Sequence, residues 1–398
     1  MTGFTGIRKI LALAMAAVLI ATAGIGCAEQ TSAPEEEVFL EEELPVYQAL
    51  VLSHGEIEDW ALGCSAIIAT RNYFSSYQFC MLERSELNTA VTKQILAQDW
   101  GCTGRSDLLD ILDIMIDHGH SVEFAEDYSQ VSSMSDEEFE AYIERLGGID
   151  RYMWPLTRTL GEKWDTKLIR AWDWFRVIHI IEWAYVAEFI EIEEVYELMT
   201  PVIERLYASF SSWEEATENY LDGYAWWSRT DVSLSDSEYK RRLLVYEELK
   251  DSRVLYEASL WLPRSAETAT GYTPDYKYLD NGDGTCTLLR HRGLSSGDLI
   301  IPAELNGLAV SIIGTCAFFD RSGFTEVVFP ASVTMIETDS FANCSGLAQA
   351  VFLGDAPLLD DQEVFLGCAQ DFTILYEEQS SGWSTPEWNG YPAFPRTD

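Results

Sequence analysis

IIGTCAFFDRSGFTEVVFP (residues 312–330), MIETDSFANCSGLAQAVFL (335–353) and LLDDQEVFLGCAQDFTILY (358–376) can be laid one above another. Ile313, Ile336 and Leu359 stand 23 residues apart, and Phe318, Phe341 and Phe365 stand 23 and 24 apart. A period in the low twenties with apolar residues at matched offsets predicts stacked coils. One coil supplies a strand and a turn, cannot bury its apolar side alone, and hides it against the next. Those six residues are the expected repeat core. Two or three coils sit at the lower limit of what such a stack stabilises, so both ends need covers.

One cover is expected upstream. The segment 276–289, YKYLDNGDGTCTLL, has two alternating arms around Asn281-Gly282-Asp283-Gly284 and reads as a hairpin. Its acids do not have the spacing of an EF-hand loop. The other cover is the tail, whose Trp383, Trp388, Tyr391 and Phe394 are held in a compact turn by Pro386, Pro392 and Pro395. The same aromatics, if exposed, would instead form a sugar-binding platform.

The repeats resemble bacterial surface leucine-rich repeats of the treponemal, or BspA-like, type. A coil of that family reads roughly I-P-x-x-V-x-x-I-G-x-x-A-F-x-x-C-x-x-L. Here it is matched by Ile301-Pro302, Ile313-Gly314 and Ala317-Phe318, then by Phe329-Pro330, Val333, Ile336, Phe341, Cys344 and Leu347. The resemblance covers about 298–376; the third coil is degenerate and has Gly354 in place of the proline.

From 45 to 262 the pattern is helical. Residues 108–116 (LLDILDIMI) follow Ser106 and stop at Gly119, as a helix between a polar start and a glycine end would. Ser135 with Glu138, Ser212 with Glu215 and Ser235 with Glu238 have capping-box spacing. Residues 167–190 read as one long buried helix, and 193–210 as another that Pro201 kinks or restarts. The expected product is a bundle of seven or eight helices. Its motifs are Trp100-Gly101, Trp172-Asp173-Trp174-Phe175-Arg176, Ser212-Trp213-Glu214-Glu215 and Tyr220-Leu221-Asp222-Gly223-Tyr224. On these the segment from about 60 to 227 resembles the bacterial domain-of-unknown-function family 1266, which implies a helical fold and no established activity. Phe189-Ile190 departs from that family's pattern.

The fold class read from the sequence is thus α+β multidomain: an N-terminal all-α helical bundle followed by a short C-terminal leucine-rich-repeat-like β solenoid. The divisions are 1–26, a signal peptide; 27–44, an acidic tether; 45–262, the helical domain; 263–275, a linker; and 276–398, the repeat module with its hairpin and aromatic covers. The leader carries Arg8 and Lys9, then an apolar run from Ile10 to Ile20. Ala21-Thr22-Ala23 suits ordinary signal peptidase. Gly24-Ile25-Gly26-Cys27 resembles a lipobox, with Gly24 where that motif favours a branched apolar residue. On the second reading Cys27 is acylated and the chain is tied to the membrane.

With 66 acidic against 26 basic residues, the formal net charge is -40. Nucleic acid is excluded as a partner, because affinity for it rests on Lys and Arg displacing counterions from phosphates. Without Cys27, seven cysteines remain and none form a CxxC pair. Buried free thiols are expected, with one bridge among Cys64, Cys80 and Cys102 as the alternative.

The sequence offers no catalytic residues: G-x-S-x-G, a phosphate loop and H-E-x-x-H are all missing. It implies no cofactor and no metal, since His118-Gly119-His120 lies at a helix end without a third ligand. Asp173 and Arg176, at i and i+3, read as a structural pair or as the floor of a pocket with Trp172 and Trp213. The functional expectation is an exported surface protein, a lipoprotein if Cys27 is acylated, that binds a protein or glycan through its repeats. The alternative is an enzyme with its site near Asp173, Arg176 and Trp213.

Overall fold

The computed structural model describes residues 52–72, 74–250, 270–293 and 296–396. The signal peptide, Cys27, the acidic tether and the first part of the expected linker lie outside them. The chain divides into two compact units. Of the described residues, one holds 52, 67–72, 74 and 84–246; the other holds 53–66, 75–83, 247–250, 270–293 and 296–396.

The first unit is helical. Its elements are the end of α1 (His54–Arg71), then α2 (Glu86–Trp100), α3 (Arg105–His118), α4 (His120–Ser132), α5 (Asp136–Glu144), α6 (Asp150–Trp164), α7 (Arg170–Val186), α8 (Ile192–Ser209), α9 (Trp213–Trp227) and α10 (Glu238–Leu249). Helix α7 is buried along almost its whole length, from Ala171 to Val186. A helix buried on every side belongs at a centre, and α7 takes Asp173, Arg176, His179 and Glu182 into the interior with its apolar residues. Accordingly α2, α3, α4, α8 and α9 all pack against it.

Local signals explain most helix ends. Ser135 and Glu138 form a complete capping box. Ser212 Oγ accepts from the Glu215 amide (3.1 Å), but the Glu215 carboxylate turns to the Ser211 amide (2.7 Å) and to Lys167. At α10 the capping hydroxyl is that of Ser237, which accepts from the Lys240 amide (3.3 Å), so the helix starts later than a box at Ser235 implies. Helix α3 starts after Gly104 rather than Ser106; Asp107 accepts from the Thr103 amide (2.8 Å) and satisfies the entering chain instead. Pro201 lies inside α8 without restarting it. No helix among the described residues is long and apolar enough to cross a membrane.

The second unit is a β solenoid. One sheet has the order β1-β2-β3-β6-β8-β10, with β5 beside β6; the strands are β1 (Thr270–Tyr272), β2 (Tyr276–Asp280), β3 (Thr285–His291), β5 (Glu304–Leu305), β6 (Leu308–Ile313), β8 (Met335–Ile336) and β10 (Leu358–Leu359). The other has the order β12-β13-β11-β9-β7-β4, from β4 (Gly297–Ile300), β7 (Phe324–Phe329), β9 (Gln349–Phe352), β11 (Thr373–Tyr376), β12 (Glu387–Trp388) and β13 (Tyr391–Pro395). Each coil gives a strand to each sheet, and successive coils pair in parallel.

Between the sheets Phe318 stacks on Phe341 (centroids 4.6 Å, 9°) and Phe341 on Phe365 (5.5 Å, 24°). Ile313 registers with Ile336, and Ile336 with Leu359. Stacked rings contribute about 0.5–1.5 kcal/mol per pair beyond the area they bury. The hairpin at Asn281–Gly284 forms, but β3 is more than a cover: it pairs with β6 and is itself the first rung. A register shift at Cys286/Thr287 puts Leu288 opposite Ile313, 25 residues on and off the 23-residue period. Within the stretch expected as linker, β1 pairs with β2.

Candidate functional site

Asp173 stands in the first turn of α7 facing the start of α4. Its Oδ1 accepts from the His120 amide (2.9 Å) and from Arg176 Nη2 (2.6 Å); its Oδ2 accepts from the Ser121 amide (2.8 Å) and Ser121 Oγ (2.6 Å). Burial alone would raise its pKa. The partners on His120, Arg176 and Ser121 outweigh that and hold it below the ordinary carboxylate value. Asp173 thus caps a helix from another element and satisfies two of α4's orphan amides. Gly119 is required beside it, because a Cβ there would lie 2.4 Å from the Asp173 carboxyl carbon.

Arg176 donates from Nε to the Trp172 carbonyl (3.0 Å), and its Nη2 also meets His120 Nδ1 (2.9 Å). A guanidinium has no acceptor, so Nδ1 receives. The guanidinium lies 4.2 Å over the Trp172 ring. Trp172 in turn packs on Tyr220, Tyr224 and Trp227. Gly223 lets α9 come this close, since its Cβ would fall 2.2 Å from the Trp172 Cβ. Trp213 joins the same core through Phe175 (6.5 Å), which stacks on Tyr220 (5.1 Å). The four residues singled out by sequence therefore share one aromatic core, in which the charged pair pins α4 to α7.

Cys102, Cys286, Cys316, Cys344 and Cys368 carry free thiols. Burial pushes the Cys286 thiol up to about 11 and the Cys344 thiol up to about 12, so both stay protonated. Cys344 Sγ donates to the Phe318 carbonyl (3.0 Å) of the preceding coil. No group of His, Cys, Asp and Glu among the described residues is arranged to hold a metal.

Two features of the solenoid unit are not evident in the motifs. The first is a buried ionic cluster. Asp59 Oδ2 accepts from Tyr272 Oη (2.7 Å) and Lys277 Nζ (2.8 Å), while Oδ1 pairs with Arg290 Nη1 (2.8 Å). Glu58 accepts from Arg292 Nε (2.8 Å) and Arg292 Nη2 (2.9 Å), and Arg290 Nη2 lies 3.3 Å away. Burial would raise Asp59, but Lys277 and Arg290 lower it below its ordinary value. Further on, Arg321 donates to the His291 carbonyl (2.8 Å), and His291 is driven down to about 3 by burial and by the Arg321 charge.

The second feature is an outward row on the sheet that contains β7. The pairing aligns Ile300 with Val328, Val328 with Val351, Val351 with Leu375, and Leu375 with Phe394. Alternation sets this row on the side away from Leu299, Val327, Ala350, Ile374 and Ala393, but its centre is covered: Val351 is 5% exposed, and Val328 and Leu375 are half-buried. Ile300 is 69% exposed and Phe394 43%. Beside this stripe run Asp298 and Glu326. From 322 to 395 the sequence has eleven acidic residues and no Lys, Arg or His. The basic residues Lys277, Arg290, Arg292 and Arg321 are instead drawn into the solenoid's first-coil end. The signal lay in the alternate residues of the repeats, Val328, Val351 and Leu375; Ile300 and Phe394 fall off the period.

Residues 95–262 match the family described as "Protein of unknown function (DUF1266)". Over 132 residues the chain is 24% identical to the uncharacterized protein YbeR of Escherichia coli (strain K12), a match over 33% of this chain and 56% of YbeR. The chain thus spans little more than half the length of that relative. Among solved structures it is similar to a leucine rich cell surface protein from Faecalibacterium prausnitzii A2-165, with 22% identity, 29% of this chain and 28% of that chain covered, and a TM-score of 0.21. A leucine-rich repeat protein from Bacteroides capillosus ATCC 29799 is 21% identical, with 32% of this chain and 99% of that chain covered and a TM-score of 0.22.

Proposed function

We propose that this chain, which joins a DUF1266 helical region to a solenoid of leucine-rich-repeat type, acts by recognition, binding a protein partner through the outward face of the sheet that contains β7. The observation that carries this reading is the row whose exposed or half-buried members are Ile300, Val328, Leu375 and Phe394, set almost wholly in a stretch that has acids and no basic residue. The partner is a protein presenting apolar and basic side chains; a neutral glycan would leave the acidic border unused. The leader and Cys27 support export and a lipid anchor, which would display the solenoid at the cell surface.

The test is photo-crosslinking of the full chain on cells, with a reactive side chain placed at Val328. A captured partner should disappear when Ile300→Asp and Phe394→Asp are combined, and persist in Asp173→Asn. Capture that survives the double variant would remove this face from the account. Fatty-acid labelling of wild type but not of Cys27→Ala would support the anchor.

A further inference from the structure

The two sheets of the solenoid do not end alike. The β7 sheet is continued past β11 by β13 and closed by β12, whereas in the other sheet no strand pairs beyond β10 among the described residues; the tail touches only its flanks, where the Ala356 amide donates to the Ser381 carbonyl (2.9 Å) and Tyr391 Oη to the Gln362 carbonyl (2.6 Å). In β10 the Leu358 amide donates to the Thr334 carbonyl (2.9 Å) and the Asp360 amide to Ile336 (3.0 Å). In a parallel ladder alternate residues bond to one side, so the Leu359 amide and carbonyl point away from β8. Leu358 itself is 72% exposed, at the end of the outward row Ile312, Met335 and Leu358. Beside the starts of β8 and β10 lies a cleft of about 350 Å³ lined by Ala331, Val333, Thr334, Gly354, Asp355 and Ala356.

We propose that β10 is a docking edge, to which an extended cationic segment of a partner protein adds as the next strand. Its backbone would pair with the Leu359 amide and carbonyl, and an apolar side chain would cover Leu358. Charge identifies the occupant. Asp355, Asp360, Asp361 and Glu363 flank the strand, and neither Lys nor Arg occurs in the sequence between Arg321 and Arg396. A second copy of this chain, at a net charge of -40, is repelled from the same edge. This edge is separate from the row that ends at Phe394, so the two sites fail independently.

The experiment measures binding of a fluorescent peptide of alternating Lys and Val to the purified full chain, with an alternating Glu and Val peptide as control. The Lys peptide should bind and slow hydrogen exchange at the Leu359 amide. Leu358→Asp, a change at an exposed position, should weaken binding about tenfold or more. Leu359→Pro should do the same, because it removes an amide that β8 does not use. Leu87→Asp, at an exposed position of the helical unit, should leave affinity unchanged. The proposal is overturned if the Lys peptide fails to bind, if the Glu peptide binds equally well, or if Leu358→Asp leaves affinity and exchange unaltered. It is also overturned if sedimentation shows a dimer that Leu358→Asp dissociates, since the edge would then serve a second copy.

Discussion

At its first coil the solenoid meets the carboxylates of Glu58 and Asp59; at its last it meets the rings of Trp383, Trp388 and Tyr391. Trp383 stacks on Tyr376 (4.9 Å, 4°) and lies 4.6 Å from Trp388, while Tyr391 Oη donates to the Gln362 carbonyl (2.6 Å). One end is closed by ions and the other by rings, because the neighbouring chain differs. The tail follows its coil directly and is rich in aromatics. The cover at the other end comes from 53–66, more than 200 residues earlier in the chain, and meets Tyr272, Lys277, Arg290 and Arg292. An apolar cover gains from burial whatever its orientation, whereas a buried ionic cover is tolerated only when every charge finds its partner. The ionic end is therefore the more specific and the more fragile.

The largest effect is expected at Asp59. Replacing it with Ala strands Lys277 and Arg290 in a buried site and should cost about 3–5 kcal/mol. Thermal unfolding of the full chain measures this, and a cycle with Lys277→Met should recover part of the loss.

Acid should loosen the same end first. His291 has its folded pKa depressed to about 3, so its stability contribution is full above its unfolded value near 6.5 and declines as pH falls toward the folded value. By pH 4 the loss amounts to about 3 kcal/mol, from roughly 1.4 kcal/mol per unit. His291→Phe should remove most of that decline in a titration of melting temperature. Asp59, whose pKa is also lowered, adds its loss only below about 4. If the wild-type melting temperature were flat from pH 6.5 to 4, the contrast between the ends would lose its basis.

At the aromatic end Trp383→Ala removes a partly exposed ring and should cost about 2 kcal/mol, less than a fully buried ring. That cost should be the same at pH 7 and pH 4, which hydrogen exchange in β11 and β13 can follow. The smallest effect lies in the other unit: Ser135→Ala deletes one member of a capping box and should lower stability by about 1 kcal/mol.

Part of this arrangement was legible beforehand. The 23-residue spacing of Phe318 and Phe341 placed both in one column, and the Ser135 and Glu138 spacing gave a helix start, because each depends on residues near in sequence. The boundary at Ser106 and the box at Ser235 were misplaced, since a hydroxyl one or two residues away, or a carboxylate pointing backward as at Asp107, satisfies the same amides. The first coil does not show in the period because the register shift at Cys286/Thr287 breaks it. Asp173 and Arg176 were recognised as a pair, but their partners His120 and Ser121 belong to a helix 50 residues away and have no spacing to announce them.

The amino-acid sequence by itself determined the coil, the strand alternation and the largely apolar character of α7, all of which follow from periodicities of a few to some twenty residues. Only the tertiary structure decided that Glu58 and Asp59 close the solenoid, that Ile300, Val328, Leu375 and Phe394 fall in one row, and that β10 is left as an edge. Those outcomes depend on which distant surfaces meet, and burial of charge selects among such meetings through pairwise partners that no local pattern records.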